Sequence, residues 1–132
     1  DVADTTLSHL DFGEGLQAHV FVSWLHPYKE QRLVVVGDEA MAVFNDVAAD
    51  SEKLLVYPHK AGWDGDVPLV SKAEAEPLPY AAGEPLRIEC EAFVAAVRDG
   101  APPPSDAEEG IRVLKVLDAC QRALTGGEAV SL

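Results

Sequence analysis

The sequence is short of basic residues, and this deficit excludes one large class of partner. Its 132 residues include 10 lysines and arginines against 23 aspartates and glutamates, which gives a formal net charge of −13. Nucleic-acid binding requires a basic face that displaces counterions from the phosphate backbone. We therefore expect no nucleic-acid partner.

Long apolar runs and cysteines are scarce as well. No run approaches the roughly 18 apolar residues of a membrane-spanning helix, and the first ten residues lack the basic and then apolar order of a secretory signal. The sequence therefore predicts a cytoplasmic protein without membrane contact. Cys90 and Cys120 are the only cysteines. Each is predicted on the apolar side of a helix as a buried free thiol, and a disulfide between them is the less favoured alternative.

The sequence does contain enough apolar material for one folded domain. Apolar residues make up 48% of the chain, so residues 1–132 are predicted to form a single domain with its own core. Because the sequence begins at Asp1 without a methionine and a strand pattern is under way within two residues, we expect this domain to belong to a longer polypeptide.

The first half of the sequence has the pattern of β-strands joined by turns. Residues 2–12 and 16–25 flank Gly13-Glu14-Gly15 and predict a hairpin. Further strands are predicted at 31–36, 41–45 and 53–57. Residues 58–85 are rich in proline and glycine and are predicted to be mostly loop, with short extended pieces at 67–70 and 73–78.

Two helices are predicted in the last third of the sequence. Apolar residues recur at helical spacing from Pro85 to a stop at Gly100. Ser105 and Glu108 predict a capping box for the second helix, and Gly126 predicts its end. A final short strand is predicted at 128–132. Strands followed by helices predict an α+β fold, a mostly antiparallel open β-sheet in two layers with helices packed on one face.

The predicted hairpin carries two histidines on one face. If Phe12 pairs with Leu16, His9 stands opposite His19, and the same face is too apolar for water and too polar for a dry interior. We expect it to be a partner surface. The pair could begin a metal site, but with only two firm ligands a packing or interface role is favoured and no metal site is assigned. A metal-dependent hydrolase built on these histidines ranks last among the possible functions.

Catalytic motifs are missing from the sequence. The single G-x-G run, Gly13 to Gly15, lies between two predicted strands, whereas a dinucleotide fingerprint lies between a strand and a helix. No phosphate-binding P-loop and no recognisable nucleophile motif occur. We therefore predict no catalytic and no cofactor-binding residue in this chain.

The stretch SWLHPYKEQR, residues 23–32, is the strongest candidate for a binding site. It places two of the ten basic residues beside aromatic side chains and a histidine, where they could hold a carboxylate or a phosphate. The predicted pocket wall and anion clamp consist of Trp24, His26, Tyr28, Lys29 and Arg32. From these residues alone, a solvated strand start in which Glu30 neutralises both cations remains the favoured alternative.

Two longer runs carry a resemblance to a known family. AHVFVSWLHPYKEQRLVVVGDEAMAVFND, residues 18–46, and EPLRIECEAFVAAVRDGAPPPSDAEEGIRVLKVLDACQRAL, residues 84–124, together resemble the C-terminal domain of the Gfo/Idh/MocA family of NAD(P)-dependent oxidoreductases. The most similar branch acts on nucleotide-linked sugars and sugar acids. The resemblance favours a substrate pocket at residues 23–32 over the solvated strand start.

The resemblance also implies what lies outside these residues. NAD or NADP would bind the protein's own N-terminal Rossmann domain, which carries the family's Glu-Lys-Pro lysine, and no Glu-Lys-Pro occurs in this sequence. The free sheet face would form a homo-oligomer. We expect the chain to be the substrate-binding and oligomerisation half of a sugar oxidoreductase, inactive alone. The alternative is a freestanding, non-enzymatic module for dimerisation or ligand binding.

Overall fold

The computed structural model describes residues 2–81 and 83–132, and in them eight strands and two α-helices. The elements are β1 (Thr5–Asp11), β2 (Gln17–Ser23), β3 (Arg32–Val36), β4 (Met41–Asn45), β5 (Leu54–Tyr57), β6 (Lys60–Asp64), β7 (Val67–Ser71), β8 (Glu76–Pro77), α1 (Pro85–Asp99) and α2 (Ala107–Gly126), with a 3₁₀ turn at Asp50–Glu52. The strands form open sheets that are mostly antiparallel, so the predicted α+β class is confirmed.

The chain divides into two compact units, which are described separately. Asp1–Val22 and Ala82–Leu132 form the first, and Ser23–Ala81 form the second. The first, the helical unit, holds the β1–β2 hairpin and both helices. The second, the sheet unit, holds a sheet in the order β3-β4-β5-β8 and the β6–β7 hairpin. The assignment of residues 1–132 to one domain stays a prediction.

The turn of the β1–β2 hairpin has a left-handed backbone throughout. Gly13, Glu14 and Gly15 have φ angles of 78°, 51° and 85°, a region that glycine enters without the clash that a Cβ creates. The Phe12 amide donates to the Leu16 carbonyl at 2.9 Å. This bond confirms the predicted hairpin and its pairing.

The β6–β7 hairpin shows that the predicted loop was wrong at β6, residues 60–64, whereas the extended pieces predicted at 67–70 and 73–78 match β7 and contain β8. Lys60 pairs with Ser71 and Asp64 with Val67, which leaves Gly65 and Asp66 as a two-residue turn. Gly65 has a φ of 59°, as two-residue hairpin turns require. The prolines and glycines of the segment hid this signal, because they were interpreted as breakers of strands.

The start of α2 lies one residue later than the predicted capping box. Asp106 is the N-cap, and its carboxylate accepts a 2.8 Å hydrogen bond from the Glu109 amide. The predicted cap at Ser105 with Glu108 was therefore wrong by one position. Serine and aspartate are both good N-cap residues. Because they are adjacent here, the sequence does not determine which of them caps the helix.

The helix ends are set by left-handed glycines. Gly100 follows α1 with a φ of 64°, as predicted, whereas Gly127 follows α2 with a φ of 70° and the predicted stop, Gly126, is still helical. Left-handed glycines are the usual residues just after a helix. The prediction of a strand at 128–132 was wrong, because residue 128 lies in a bend and residues 129–132 form no regular structure.

Small side chains form the most covered sides of the two helices. Ala119 of α2 is 7% exposed, and Ala92, Ala95 and Ala96 are the least exposed residues of α1. Cys90 is exposed and Cys120 half-buried, and both are free thiols. The prediction that Cys90 is buried was therefore wrong. Among the described residues, no helix is long and apolar enough to cross a membrane.

Candidate functional site: a pocket between β2 and β3

The segment that joins β2 to β3 forms an open pocket of about 420 Å³ within the sheet unit. Four of the five predicted site residues line it, and the fifth, Arg32, begins β3 at its end. The lining residues are Ser23, Trp24, His26, Pro27, Tyr28, Lys29, Glu30 and Gln31. The structure therefore brings the predicted aromatic residues and Lys29 to one concave surface.

Local chemistry explains why the chain leaves the strand here. Pro27 has no amide hydrogen to donate to a strand ladder, and the Leu25 amide donates instead to the hydroxyl of Ser23 at 3.2 Å. The rings of His26 and Tyr28 then lie with centroids 5.6 Å apart and tilted by 40°. Trp24 and Tyr28 remain 70% and 64% exposed, so two aromatic surfaces are open to a ligand.

Backbone bonds from neighbouring strands bring a carboxylate to the pocket. The Asp46 amide donates to the Gln31 carbonyl at 3.0 Å, and the Asn45 amide donates to the Lys53 carbonyl at 2.8 Å. These bonds extend the β3–β4 and β4–β5 pairings by one position. Asp46 and Lys53 are thereby placed beside the residues that line the pocket.

Five loose ion pairs join the charged groups of this site. Nζ of Lys29 and Nζ of Lys53 each lie 3.7 Å from a carboxylate oxygen of Asp46. The other three pairs are Lys53–Asp50 at 4.0 Å, Arg32–Glu30 at 3.8 Å and His26–Glu30 at 4.0 Å, the last of which is an ion pair only when the imidazole is protonated. All five exceed hydrogen-bond length. Exposed pairs of this kind contribute up to about 1 kcal/mol each.

The pairing differs in part from the alternative in which Glu30 neutralises both cations. Glu30 lies near Arg32, but the carboxylate beside Lys29 is Asp46. A lysine has three donors and an arginine five, so one loose pair for each leaves donors for an anionic ligand. Asp46 was missed in the sequence, although the β3–β4 register sets it opposite Gln31 and could have identified it.

The G-x-G run does not have the structural setting of a dinucleotide-binding turn. The single G-x-G run is the β1–β2 turn, where Oδ1 of Asp11 accepts a 2.9 Å hydrogen bond from the Gly13 amide. A Rossmann site needs the N-terminus of a helix at this position to receive the pyrophosphate. Along residues 2–81 and 83–132, no group of three or more potential ligands is arranged to hold a metal ion.

The two hairpin histidines meet as their register predicts. Nδ1 of His9 lies 3.0 Å from Nε2 of His19, and the ring centroids are 4.8 Å apart. Both side chains are exposed. They belong to the helical unit and have no part in the pocket of the sheet unit.

The comparisons with known proteins agree with the fold and the resemblance. Residues 2–132 match the family described as oxidoreductase family, C-terminal alpha/beta domain. The chain therefore belongs to the Gfo/Idh/MocA oxidoreductase family and corresponds to its C-terminal domain. Searches of the curated proteins and of the solved structures gave no match.

Proposed function

We propose that this chain is the substrate-binding and oligomerisation domain of a cytoplasmic, NAD(P)-dependent oxidoreductase that acts on a sugar or a nucleotide-linked sugar. Membership of the family over residues 2–132 is the observation that carries the proposal. The family match supports the partnership with an N-terminal Rossmann domain, which would supply the nicotinamide cofactor. No step of hydride transfer is assigned to these residues.

The pocket at residues 23–31 is the proposed substrate site. Sugars present apolar C–H faces that lie on aromatic rings, and Trp24 and Tyr28 expose such rings. Lys29 and Arg32 supply cationic donors for a carboxylate or phosphate on the sugar. The combination favours an acidic or phosphorylated sugar as the substrate.

Steady-state kinetics of the full-length protein test this assignment. Replacing both Lys29 and Arg32 by alanine removes two charge-assisted contacts, so KM for an acidic sugar should rise at least about tenfold. The value of kcat should change less, because neither residue is assigned to the chemical step. Unchanged KM would remove both residues from the pocket.

A matched control separates a local effect from a change in net charge. The Lys60→Ala/Lys72→Ala variant removes the same charge from the sheet unit, at positions that do not line the pocket. Its KM should stay within about twofold of the wild-type value, since exposed charges that do not line the pocket are screened by salt.

Self-association through the free face of the β1–β2 hairpin belongs to the same proposal. Leu7 and Phe21 are 69% and 55% exposed, and the register that pairs His9 with His19 sets them opposite each other. Sedimentation should show a dimer or larger assembly that Phe21→Lys dissociates. A wild-type monomer would refute this part of the proposal.

The coding sequence upstream of Asp1 distinguishes this proposal from a freestanding module. A strand, a G-x-G-x-x-G turn and a helix encoded there would support the oxidoreductase. A start codon immediately before Asp1 would favour the non-enzymatic module instead. Purified residues 1–132 should show no thermal shift with NAD or NADP, and a clear shift would contradict the assignment of the cofactor to another domain.

A further inference from the structure

The histidine pair of the β1–β2 hairpin lies outside the proposed substrate pocket and has no role in it. We propose that His9 and His19 form a two-ligand site for a divalent transition-metal ion of the borderline class, such as Cu²⁺, Ni²⁺ or Zn²⁺. Water would complete the coordination sphere. The inference does not depend on the substrate pocket, because it uses only the helical unit, whereas the two histidines lie on the hairpin face that is proposed for self-association.

The distance between the two nitrogens suits a shared metal ion. Two imidazoles bound at about 2.0–2.1 Å from one metal place their nitrogens roughly 2.9 Å apart at a right angle and roughly 3.4 Å apart at a tetrahedral angle. The observed separation of Nδ1 of His9 and Nε2 of His19 is 3.0 Å. A modest rotation of the rings would direct both lone pairs at an ion between them.

The backbone holds this separation in place. The histidines stand opposite each other in adjacent antiparallel strands, and the 2.9 Å bond from the Phe12 amide to the Leu16 carbonyl fixes the register three positions away. The left-handed turn from Gly13 to Gly15 closes the hairpin. The strand pairing therefore brings both ligands together before the metal ion binds, so no flexible loop has to become ordered on binding.

The surroundings favour a weakly held ion with open coordination positions. Both histidines are exposed in the single chain, so an ion bound to the monomer keeps water ligands, and only the hydrogen bond between the two rings must be given up. Asp11, the next residue on that face of β1, has its Oδ1 engaged by the Gly13 amide. This engagement fits the absence of a third ligand in the described chain.

Calorimetric titration of the untagged chain with Cu²⁺, Ni²⁺ and Zn²⁺ tests the site. We expect one ion per chain, a Kd on the order of micromolar to tens of micromolar, and tightest binding for Cu²⁺. Each of the single variants His9→Asn and His19→Asn should raise the Kd at least about tenfold, because it leaves only one imidazole to bind the ion. The proposal is overturned if both variants bind the ions as tightly as the wild type does. It is also overturned if the Kd of the wild type is more than about 100-fold above the expected range for all three ions.

Two controls keep the result interpretable. His59→Asn removes a histidine from the sheet unit and should leave the affinity within about twofold. Phe21→Ser, which removes the apolar side chain from the same face without adding a positive charge beside the metal ion, should retain the site, so loss of metal binding is distinguished from loss of self-association. Paramagnetic Ni²⁺ should broaden the imidazole signals of His9 and His19 before those of His26 and His59, and this readout reports on the folded chain directly. Broadening that begins at His26 or His59 would contradict the assignment.

Discussion

The histidine pair of the helical unit and the pocket of the sheet unit are held together in different ways. In the helical unit, the histidine pair and the helix ends are positioned by backbone features, namely a left-handed turn, an N-cap and terminal glycines. In the sheet unit, the charged groups of the pocket meet through side-chain pairs of 3.7–4.0 Å. The positions in the helical unit therefore follow from the backbone conformation, whereas the side-chain pairs of the pocket can be exchanged for contacts with a ligand.

The largest expected effect comes from breaking the turn of the helical unit. Gly15→Val places a β-branched residue at a φ of 85°, so the free energy of unfolding should fall by about 1–2 kcal/mol. Urea denaturation measures this change. Gly62→Val is the matched control, because Gly62 lies in β6 without a positive φ and has no atom within 4 Å of an added Cβ. Equal losses in the two variants would contradict the role of the turn.

A smaller loss is expected from the N-cap of α2. Asp106→Ala removes the acceptor of the Glu109 amide, which should lower the free energy of unfolding by about 1 kcal/mol. Ser105→Ala, the neighbouring cap candidate, should cost less than about 0.5 kcal/mol. If the serine variant loses more, the helix begins one residue earlier than described.

The smallest effect on stability is expected in the sheet unit. Asp46→Asn removes the carboxylate that Lys29 and Lys53 share, yet the free energy of unfolding should fall by less than about 1 kcal/mol. The loss should shrink as salt is added, since exposed pairs are screened. Glu74→Gln, with the same change of charge, serves as the control. A salt-independent loss as large as that of Gly15→Val would show that the Asp46 carboxylate contributes as much to stability as the hairpin turn.

The same contrast explains which parts of the structure could be predicted from the sequence. The β1–β2 hairpin, its register and the histidine pair follow from local turn chemistry, because Gly13 and Gly15 admit the left-handed backbone and strand pairing then determines the rest. The β6–β7 hairpin carries a comparable signal at Gly65, but the flanking Gly62 and Pro68 are also typical of loops. Because two good cap residues, Ser105 and Asp106, are adjacent, the sequence did not determine which of them precedes α2.

The residues that line the candidate site could be predicted from the sequence, but the ion pairs that its charged residues form could not. Pro27 and the aromatic residues around it indicate a projecting turn, and four of the five residues predicted there line the pocket. Which carboxylate pairs with Lys29 depends on the conformation of the long side chains that extend from one strand to the next. That choice involves rotamers and solvent exposure, which a local sequence pattern does not determine. Asp46 was accessible only through the register of β3 with β4.

The central claim, that residues 23–32 bind an acidic sugar, is tested most directly by the indole signals of the two tryptophans. In NMR spectra of the chain, assigned with Trp24→Phe and Trp63→Phe, glucuronate or glucose 6-phosphate should shift the Trp24 indole and the backbone amides of residues 26–31. The Trp63 indole, on β6, should remain in place. No shift at Trp24 with either sugar at millimolar concentration, or equal shifts at both indoles, would contradict the claim.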